Sequence, residues 1–407
     1  MMFFYRTALL LAALAVSAIP ARAQSESLAS IFTNHPAARP QTFPRRASII
    51  FIALDGLGFG DLSCYGQTNF LTPNFDKLAA EGTRFTNYSA GGDDLATAQA
   101  VLMGGNLSLA QATGQITVAA RLQQAGYHTG LIGEWLLGPQ PWSQGFNEFA
   151  GYFNDQDANN YYADFMWRYL PGTVYDPTNH SLPVFSTREA IYDNSGGRHS
   201  KYIPDVLMTA AVNFVRIQAP GRGNHYRPFF LMVNIPAPRT IERGKDEYPV
   251  PTDAPFTDER WPQPAKNRAA LLTRLDEDLG RLMEQLKSSS MTNNVMIFLA
   301  GATAPEKFAN PDMNFLKLNG EVRGGDSPER LRTPMIVYWP GHVPAGRVSS
   351  ARWSAVDFAP TAMETAYARP AASFAGISML PLLLDKHPTN INDMPLDVPQ
   401  EPLPSRP

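Results

Sequence analysis

The sequence predicts an α/β protein whose central sheet is covered by helices on both faces. A continuous apolar run at 47–54, rich in isoleucine, is typical of a strand buried on both faces of a sheet. Similar runs alternate along the chain with stretches of helical periodicity, which indicates βαβ units. Hydrophobic residues make up 44% of the chain and charged residues only 17%, enough apolar material for a sizeable core.

Each element follows from a local signal. Thr72-Pro73 predicts the start of a helix and Gly82 its end. Leucines from 271 to 286 recur at helical spacing and predict a long amphipathic helix. The predicted strands are 47–54, 129–133, 228–234, 294–300 and 333–339, and the predicted helices are 72–80, 96–103, 118–124, 201–217 and 265–288.

The two ends of the chain differ from the rest in composition. Arg6, an apolar run at 8–19 and small residues at 21 and 23 predict a secretory signal peptide over 1–23, followed by a polar leader over 24–46. With residues 1–5 included, the segment approaches the roughly 20 residues of a spanning helix, so an uncleaved membrane anchor is the alternative. We therefore expect an exported protein, periplasmic or extracellular. Residues 386–407 contain six prolines and predict an extended tail.

Charge and cysteine content exclude some functions. The formal net charge of −3 argues against nucleic-acid binding, which needs a basic face. The single cysteine, Cys64, excludes an intramolecular disulfide and a zinc site built from cysteines.

Several motifs, in order, resemble the sulfatase family of the alkaline-phosphatase-like superfamily. The resemblance covers 47–385 and rests on strings that include Asp55-Gly-Leu-Gly-Phe-Gly-Asp61, Gln124-Ala-Gly-Tyr-His128, Arg332-Thr-Pro-Met335 and Val356-Asp-Phe-Ala-Pro-Thr361. It implies an α/β/α sandwich with a large mixed sheet, followed by a smaller C-terminal subdomain. Because the chain stops soon after 377–384, we expect that subdomain to be truncated, which would leave a flank of the sheet exposed to a partner.

The resemblance also implies a reaction. In a sulfatase, a Cys or Ser converted to formylglycine attacks sulfur while a divalent cation, usually calcium, holds it. Alignment puts Leu95 at the nucleophile and Gln99 at the arginine of the family's Cys-x-Pro-Ser-Arg string. Cys64 lies in a different motif and is interpreted as a small buried residue.

The family's sulfate-binding and proton-donating side chains are also replaced. The Gly-Lys-Trp-His string of the family becomes Gly-Glu134-Trp-Leu136, which puts an anion in place of a cation and an alkyl group in place of a proton donor. The family's Ala-Pro-His ends here in Arg239, and a late lysine aligns near Arg323, the one replacement that preserves charge.

The metal ligands of the family are largely missing. Two adjacent aspartates end the first strand of a sulfatase, but here Asp55 is followed by Gly56. The later Asp-Asn pair becomes Gly301-Ala302. Asp55 is interpreted as a relic, so no cofactor is expected, and calcium is expected if any metal is retained. Asp93 and Asp94 either supply replacement oxygens for a metal or simply begin the helix at 96–103.

Three hypotheses follow. The first is a pseudoenzyme that acts as a binding or assembly subunit, with a protein partner at the Pro-rich tail or the exposed sheet flank. The second is a hydrolase of sulfate or phosphate esters with a rebuilt site around Asp55, Asp93 and Asp94. The third is a binder of sulfated or otherwise anionic glycans that uses Arg239 and Arg323.

Overall fold

The structure is a computed structural model that describes residues 46–92, 94–104, 116–157, 161–170, 187–220, 227–241, 247–305, 316–317 and 332–385. The predicted signal peptide, the leader up to residue 45 and the Pro-rich tail lie outside these ranges. Within them, no helix is both long and apolar enough to cross a membrane.

The described strands form one mixed sheet of eleven strands. From edge to edge their order is β10-β2-β9-β8-β1-β7-β3-β4-β5-β6, and β11 pairs with β2. The strands are β1 (Ser48–Leu54), β2 (Thr83–Ser89), β3 (His128–Glu134), β4 (Glu148–Tyr152), β5 (Phe165–Tyr169), β6 (Thr187–Ala190), β7 (Phe229–Ile235), β8 (Val295–Gly301), β9 (Arg332–Tyr338), β10 (Arg347–Ser349) and β11 (Trp353–Ser354).

Helices cover both faces of this sheet. The helices of the described chain are α1 (Pro73–Glu81), α2 (Leu95–Gly104), α3 (Val118–Gln124), α4 (Ile203–Gln218), α5 (Gln263–Ser288), α6 (Phe358–Thr365) and α7 (Leu380–Leu383). Alternate residues of β1 point to opposite faces: Ile50 packs in the core with α1, α4 and α5, and Phe51 in the core with α2, α3 and α6. The layers are therefore α/β/α, as the sequence predicts.

The centre of the sheet is parallel. Strand β1 lies between β7 and β8, and β3 lies on the far side of β7, all parallel. In register, Leu54 faces Ile235 on one side and Gly301 on the other, and Gly133 faces Asn234. The four carboxyl ends therefore lie side by side, which is where α/β sheets place their functional groups.

Antiparallel strands flank this parallel centre. Strand β9 is antiparallel to β8 and β2, and β5 is antiparallel to β4 and β6. The mixed sheet implied by the family resemblance is thus confirmed, and the ten elements predicted from local patterns are present within two residues at each end. Six strands were not predicted, because they are very short or their burial is mixed or low and leaves no continuous apolar run: β2, β4, β5, β6, β10 and β11.

Candidate functional site

Three charged side chains meet at the carboxyl edge of the parallel strands. Asp55 follows β1 directly, Glu134 is the last residue of β3, and Arg239 lies in the loop after β7. Since β7 lies between β1 and β3, the guanidinium of Arg239 reaches a carboxylate on either side. The sheet order therefore brings together three residues that are far apart in the sequence.

The guanidinium of Arg239 is enclosed by acceptors. Nη2 donates to Glu134 Oε1 at 2.9 Å, and Nη1 donates to Glu134 Oε2 at 3.0 Å, which is a two-point pair. Nη1 also donates to Asp55 Oδ2 at 3.0 Å, and Nη2 to the carbonyl oxygen of Asp155 at 3.3 Å. The N–H groups of both terminal nitrogens thus face protein oxygens rather than an external anion.

The second oxygen of Asp55 is bonded as well. The hydroxyl of Thr303, just after β8, donates to Asp55 Oδ1 at 2.5 Å and accepts from the backbone N–H of Gly56 at 2.9 Å. Both residues are buried, with Asp55 3% and Thr303 8% exposed. The carboxylate of Asp55 therefore has a protein partner at each oxygen.

Burial and charge balance set the protonation of this cluster. Glu134 is fully buried, and burial raises its pKa to about 7 against the opposing effect of Arg239; the nearby Asp55 and Asp155 raise it further. Burial alone would lower the pKa of Arg239, but the carboxylates of Glu134 and Asp55 raise it above its usual value. One cation thus serves two buried carboxylates.

A second buried arginine holds the two loops that carry this cluster. Arg268, on α5, pairs with Asp61 through two contacts of 2.8 and 2.7 Å. It also donates to the carbonyl oxygens of Gly56 and Pro238, each at 2.9 Å. Tyr161 donates its hydroxyl to the carbonyl oxygen of Arg239 at 2.7 Å. The backbone on both sides of the ion pair is therefore fixed.

Gly56 fits where a second aspartate would not. Its φ is +82°, and a Cβ there would lie 3.1 Å from Arg239 Cα and 3.3 Å from the carbonyl oxygen of Pro238. A side chain at position 56 would strain the backbone and push the β7 loop away. The missing second aspartate is thus linked to the close approach of the loop that carries Arg239.

The position aligned with the nucleophile is apolar. Leu95, the first residue of α2, is 6% exposed and packs in the same core as Phe51 and Leu102. It lines a small cleft with Ala53, Leu102 and Met232, and the free volume there is about 10 Å³, room for about one water molecule. The alkyl side chain of Leu95 can act neither as a nucleophile nor as a proton donor.

Gln99 has a structural role. Its amide Nε2 donates to the carbonyl oxygen of Glu134 and its Oε1 accepts from the N–H of Leu136, both at 2.9 Å. Asn234 donates to the same carbonyl oxygen of Glu134 at 3.0 Å. The end of β3 is therefore tied to α2 and β7 by two side-chain amides, and Leu136 is half-buried beside them.

The remaining predicted site residues do not join the cluster in the described structure. Asp94 is exposed, and its carboxylate accepts from the N–H and the hydroxyl of Thr97, both at 2.8 Å, as a residue that caps a helix does. Asp93 and Arg323 lie outside the described residues.

The described residues do not fit the calcium that the family resemblance implies. No group of three or more His, Cys, Asp or Glu among them is arranged to hold a metal ion. The oxygens of Asp55 are taken by Arg239 and Thr303, and a guanidinium stands among the carboxylates. Calcium needs six to eight oxygens, so no chemical step is assigned to a metal here.

Sequence reasoning missed Thr303 and Arg268. Thr303 had a weak signal, a hydroxyl three residues after the end of a predicted buried strand. Arg268 had a better one, because it lies four residues before Leu272 on the apolar stripe of α5, where an unpaired cation would be costly. Such an arginine predicts a buried carboxylate partner, which Asp61 supplies.

The chain belongs to the sulfatase family, whose family model matches residues 47–368. It is 26% identical over 383 residues to N-acetylgalactosamine-6-sulfatase of Homo sapiens, covering 84% of this chain and 66% of that protein. It is 28% identical over 395 residues to arylsulfatase G of Rattus norvegicus, covering 86% and 71%. The chain thus spans about two thirds of the length of the curated relatives it matches.

Solved structures show the same fold. The crystal structure of Ps i-CgsB in complex with k-i-k-neocarrahexaose superposes with a TM-score of 0.63 at 24% identity, covering 84% of this chain and 77% of that one. The likeness covers most of this chain and shows that the two proteins share a fold.

Proposed function

We propose that this sulfatase-family protein does not hydrolyse sulfate esters and acts as an exported binding or assembly subunit. The observation that carries the proposal is the ion pair of Arg239 with Glu134 and Asp55. It places a closed set of protein charges at the strand ends where the family resemblance expects a metal ligand, a sulfate-binding lysine and a histidine. Leu95, an alkyl group in an apolar cleft, supports the same conclusion.

The charge around the cluster argues further against an anionic substrate. Glu134 and Asp55 share one guanidinium, and the exposed Asp155, which raises the pKa of Glu134, adds negative charge beside them. A sulfate ester brought there would meet carboxylates, with the terminal N–H groups of Arg239 already bonded. Like charges brought together without a compensating cation are unfavourable.

In this proposal the protein binds a protein partner. The edge strand β6 is exposed at all four residues, and Val348 on the opposite edge strand, β10, is 54% exposed. Edge strands offer backbone groups to a second chain. The Pro-rich tail at 386–407 is the other proposed contact. Binding of a sulfated glycan away from the ion pair is the second candidate, supported only by the carbohydrate-bound structure of a family member.

An activity measurement tests the proposal. Purified protein is incubated with a fluorogenic aryl sulfate and the matching aryl phosphate, with and without millimolar calcium. We expect product release equal to that of heat-denatured protein. Turnover that disappears in Glu134→Gln would overturn the proposal, because it would place an active centre at this cluster. Turnover that the variant keeps would point to a contaminating enzyme.

A further inference from the structure

The acceptors around Arg239 have the composition of a cation site. Asp55 Oδ2, both carboxylate oxygens of Glu134 and the carbonyl oxygen of Asp155 all lie within 3.3 Å of its two terminal nitrogens. Carboxylate and carbonyl oxygens are the ligands that hard divalent cations prefer. The positive charge among them comes from the chain itself.

The backbone that carries the guanidinium is held in place by hydrogen bonds from buried side chains. Arg268 holds the carbonyl oxygen of Pro238, and Tyr161 holds those of Pro236 and Arg239. Arg268 is 1% exposed and pairs with Asp61, so this support is part of the core. The loop from which the arginine side chain extends is therefore anchored to the core.

The approach of the β7 loop to β1 depends on the loss of a side chain at position 56. Arg239 Cα lies 3.1 Å from where a Cβ on Gly56 would be. The same change that removes a second carboxylate from the cluster makes room for the backbone that delivers the arginine. The absence of a second carboxylate at position 56 and the presence of the Arg239 guanidinium thus depend on the same close approach of the two loops.

We propose that Arg239 is a tethered cation that replaces a divalent metal ion as the structural counter-ion of the fold. The protein then needs no calcium to fold. The carboxylates of Asp55 and Glu134 can bind a divalent cation only when the guanidinium is removed. This inference concerns what stabilises the fold and does not depend on whether the protein hydrolyses sulfate esters.

Thermal unfolding with chelator or calcium tests this inference. The unmodified protein should have the same melting temperature in EDTA and in millimolar calcium, within about 1 °C. In Arg239→Ala, two buried carboxylates lose their cation, so we expect the melting temperature to fall by roughly 5–10 °C. Millimolar calcium should restore a large part of that loss.

A double variant provides the matched control. Arg239→Ala with Glu134→Gln removes one carboxylate along with the cation and puts an amide of similar size in its place, so it should stay folded and be insensitive to calcium. Calorimetric titration of calcium should then detect binding to Arg239→Ala, and none to the double variant or to the unmodified protein.

Two results would overturn the inference. One is stoichiometric calcium binding by the unmodified protein, or a fall in its melting temperature in EDTA. The other is an Arg239→Ala variant whose melting temperature and calorimetry do not respond to calcium. If Arg239→Ala does not fold, Arg239→Ser refolded from urea with and without calcium replaces it, and a refolded yield independent of calcium counts against the inference. Neither result depends on sulfatase turnover.

Discussion

Arg239 and Glu134 form a two-point ion pair, with Nη2–Oε1 at 2.9 Å and Nη1–Oε2 at 3.0 Å, at the ends of neighbouring parallel strands. The pair aligns a planar guanidinium with a carboxylate, the strongest geometry available to these groups. In the position where the family resemblance expects a sulfate-binding lysine, Glu134 instead binds a cation of its own chain.

The pH dependence of stability should reveal the buried Glu134. Its pKa is about 7 in the folded protein and near 4.5 in the unfolded chain. Between these values the folded protein keeps a proton that the unfolded chain releases, so the contribution of this group to the unfolding free energy falls as pH rises from about 4.5 to 7 and is constant above. Glu134→Gln should remove that slope, a relative change on the order of 3 kcal/mol.

Urea unfolding of both proteins at several pH values between about 5 and 8 checks this prediction. The difference in unfolding free energy between variant and parent isolates Glu134 from the other titrating groups. A difference that does not vary with pH would contradict the raised pKa.

The buried pair of Arg268 and Asp61 should be essential to the loops that carry the site. Arg268→Met leaves the carboxylate of Asp61 buried without its cation and removes donors to the carbonyl oxygens of Gly56 and Pro238. We expect a loss of about 3–5 kcal/mol in unfolding free energy. Adding Asp61→Asn should recover part of it, as a urea-denaturation double-mutant cycle measures. Equal stability of the single and double variants would show that the unpaired charge is not the cause.

Gly56 should tolerate a side chain less well than a glycine of similar backbone conformation. Gly56→Ala strains a residue at φ +82° and brings a methyl group within 3.1 Å of Arg239 Cα. Gly66→Ala strains a residue at φ +110° with no atom within 4 Å and is the matched control. We expect a loss of about 1 kcal/mol in Gly66→Ala and about 2–4 kcal/mol in Gly56→Ala, measured by urea unfolding. Similar losses would contradict the close approach of the β7 loop.

Restoring the nucleophile motif should not restore activity. The combined changes Leu95→Cys, Thr97→Pro, Ala98→Ser and Gln99→Arg rebuild the string that the family uses. We expect no aryl sulfate turnover even after the cysteine is converted to formylglycine, which mass spectrometry verifies, because Glu134, Leu136 and Arg239 remain. Measurable turnover in this variant would mean that the rest of the site is still competent.

The sequence predicted the central elements because their signals are local. Strands β1, β7 and β8 are continuous apolar runs, and the helix α5 carries leucines at helical spacing. The outer strands β5 and β6 carry mixed or exposed residues, so their pairing is set by tertiary contacts that no local pattern encodes.

The site was predicted only in part, because its contacts also depend on tertiary structure. The sequence identified Asp55 as a surviving family position and Glu134 and Arg239 as replaced ones. It gave no sign that the three side chains meet. Their ion pair depends on β7 lying between β1 and β3, a fact of sheet order. The hydrogen bond from Thr303 to Asp55 joins residues that are far apart in the sequence and depends on the same order.

A crystal structure grown in calcium and sulfate, with anomalous data, distinguishes a bound metal ion from the guanidinium of Arg239. We expect the guanidinium between the carboxylates of Asp55 and Glu134, with no anomalous peak among them. A calcium ion bound about 2.3–2.6 Å from both carboxylates, with Arg239 turned away, would contradict it.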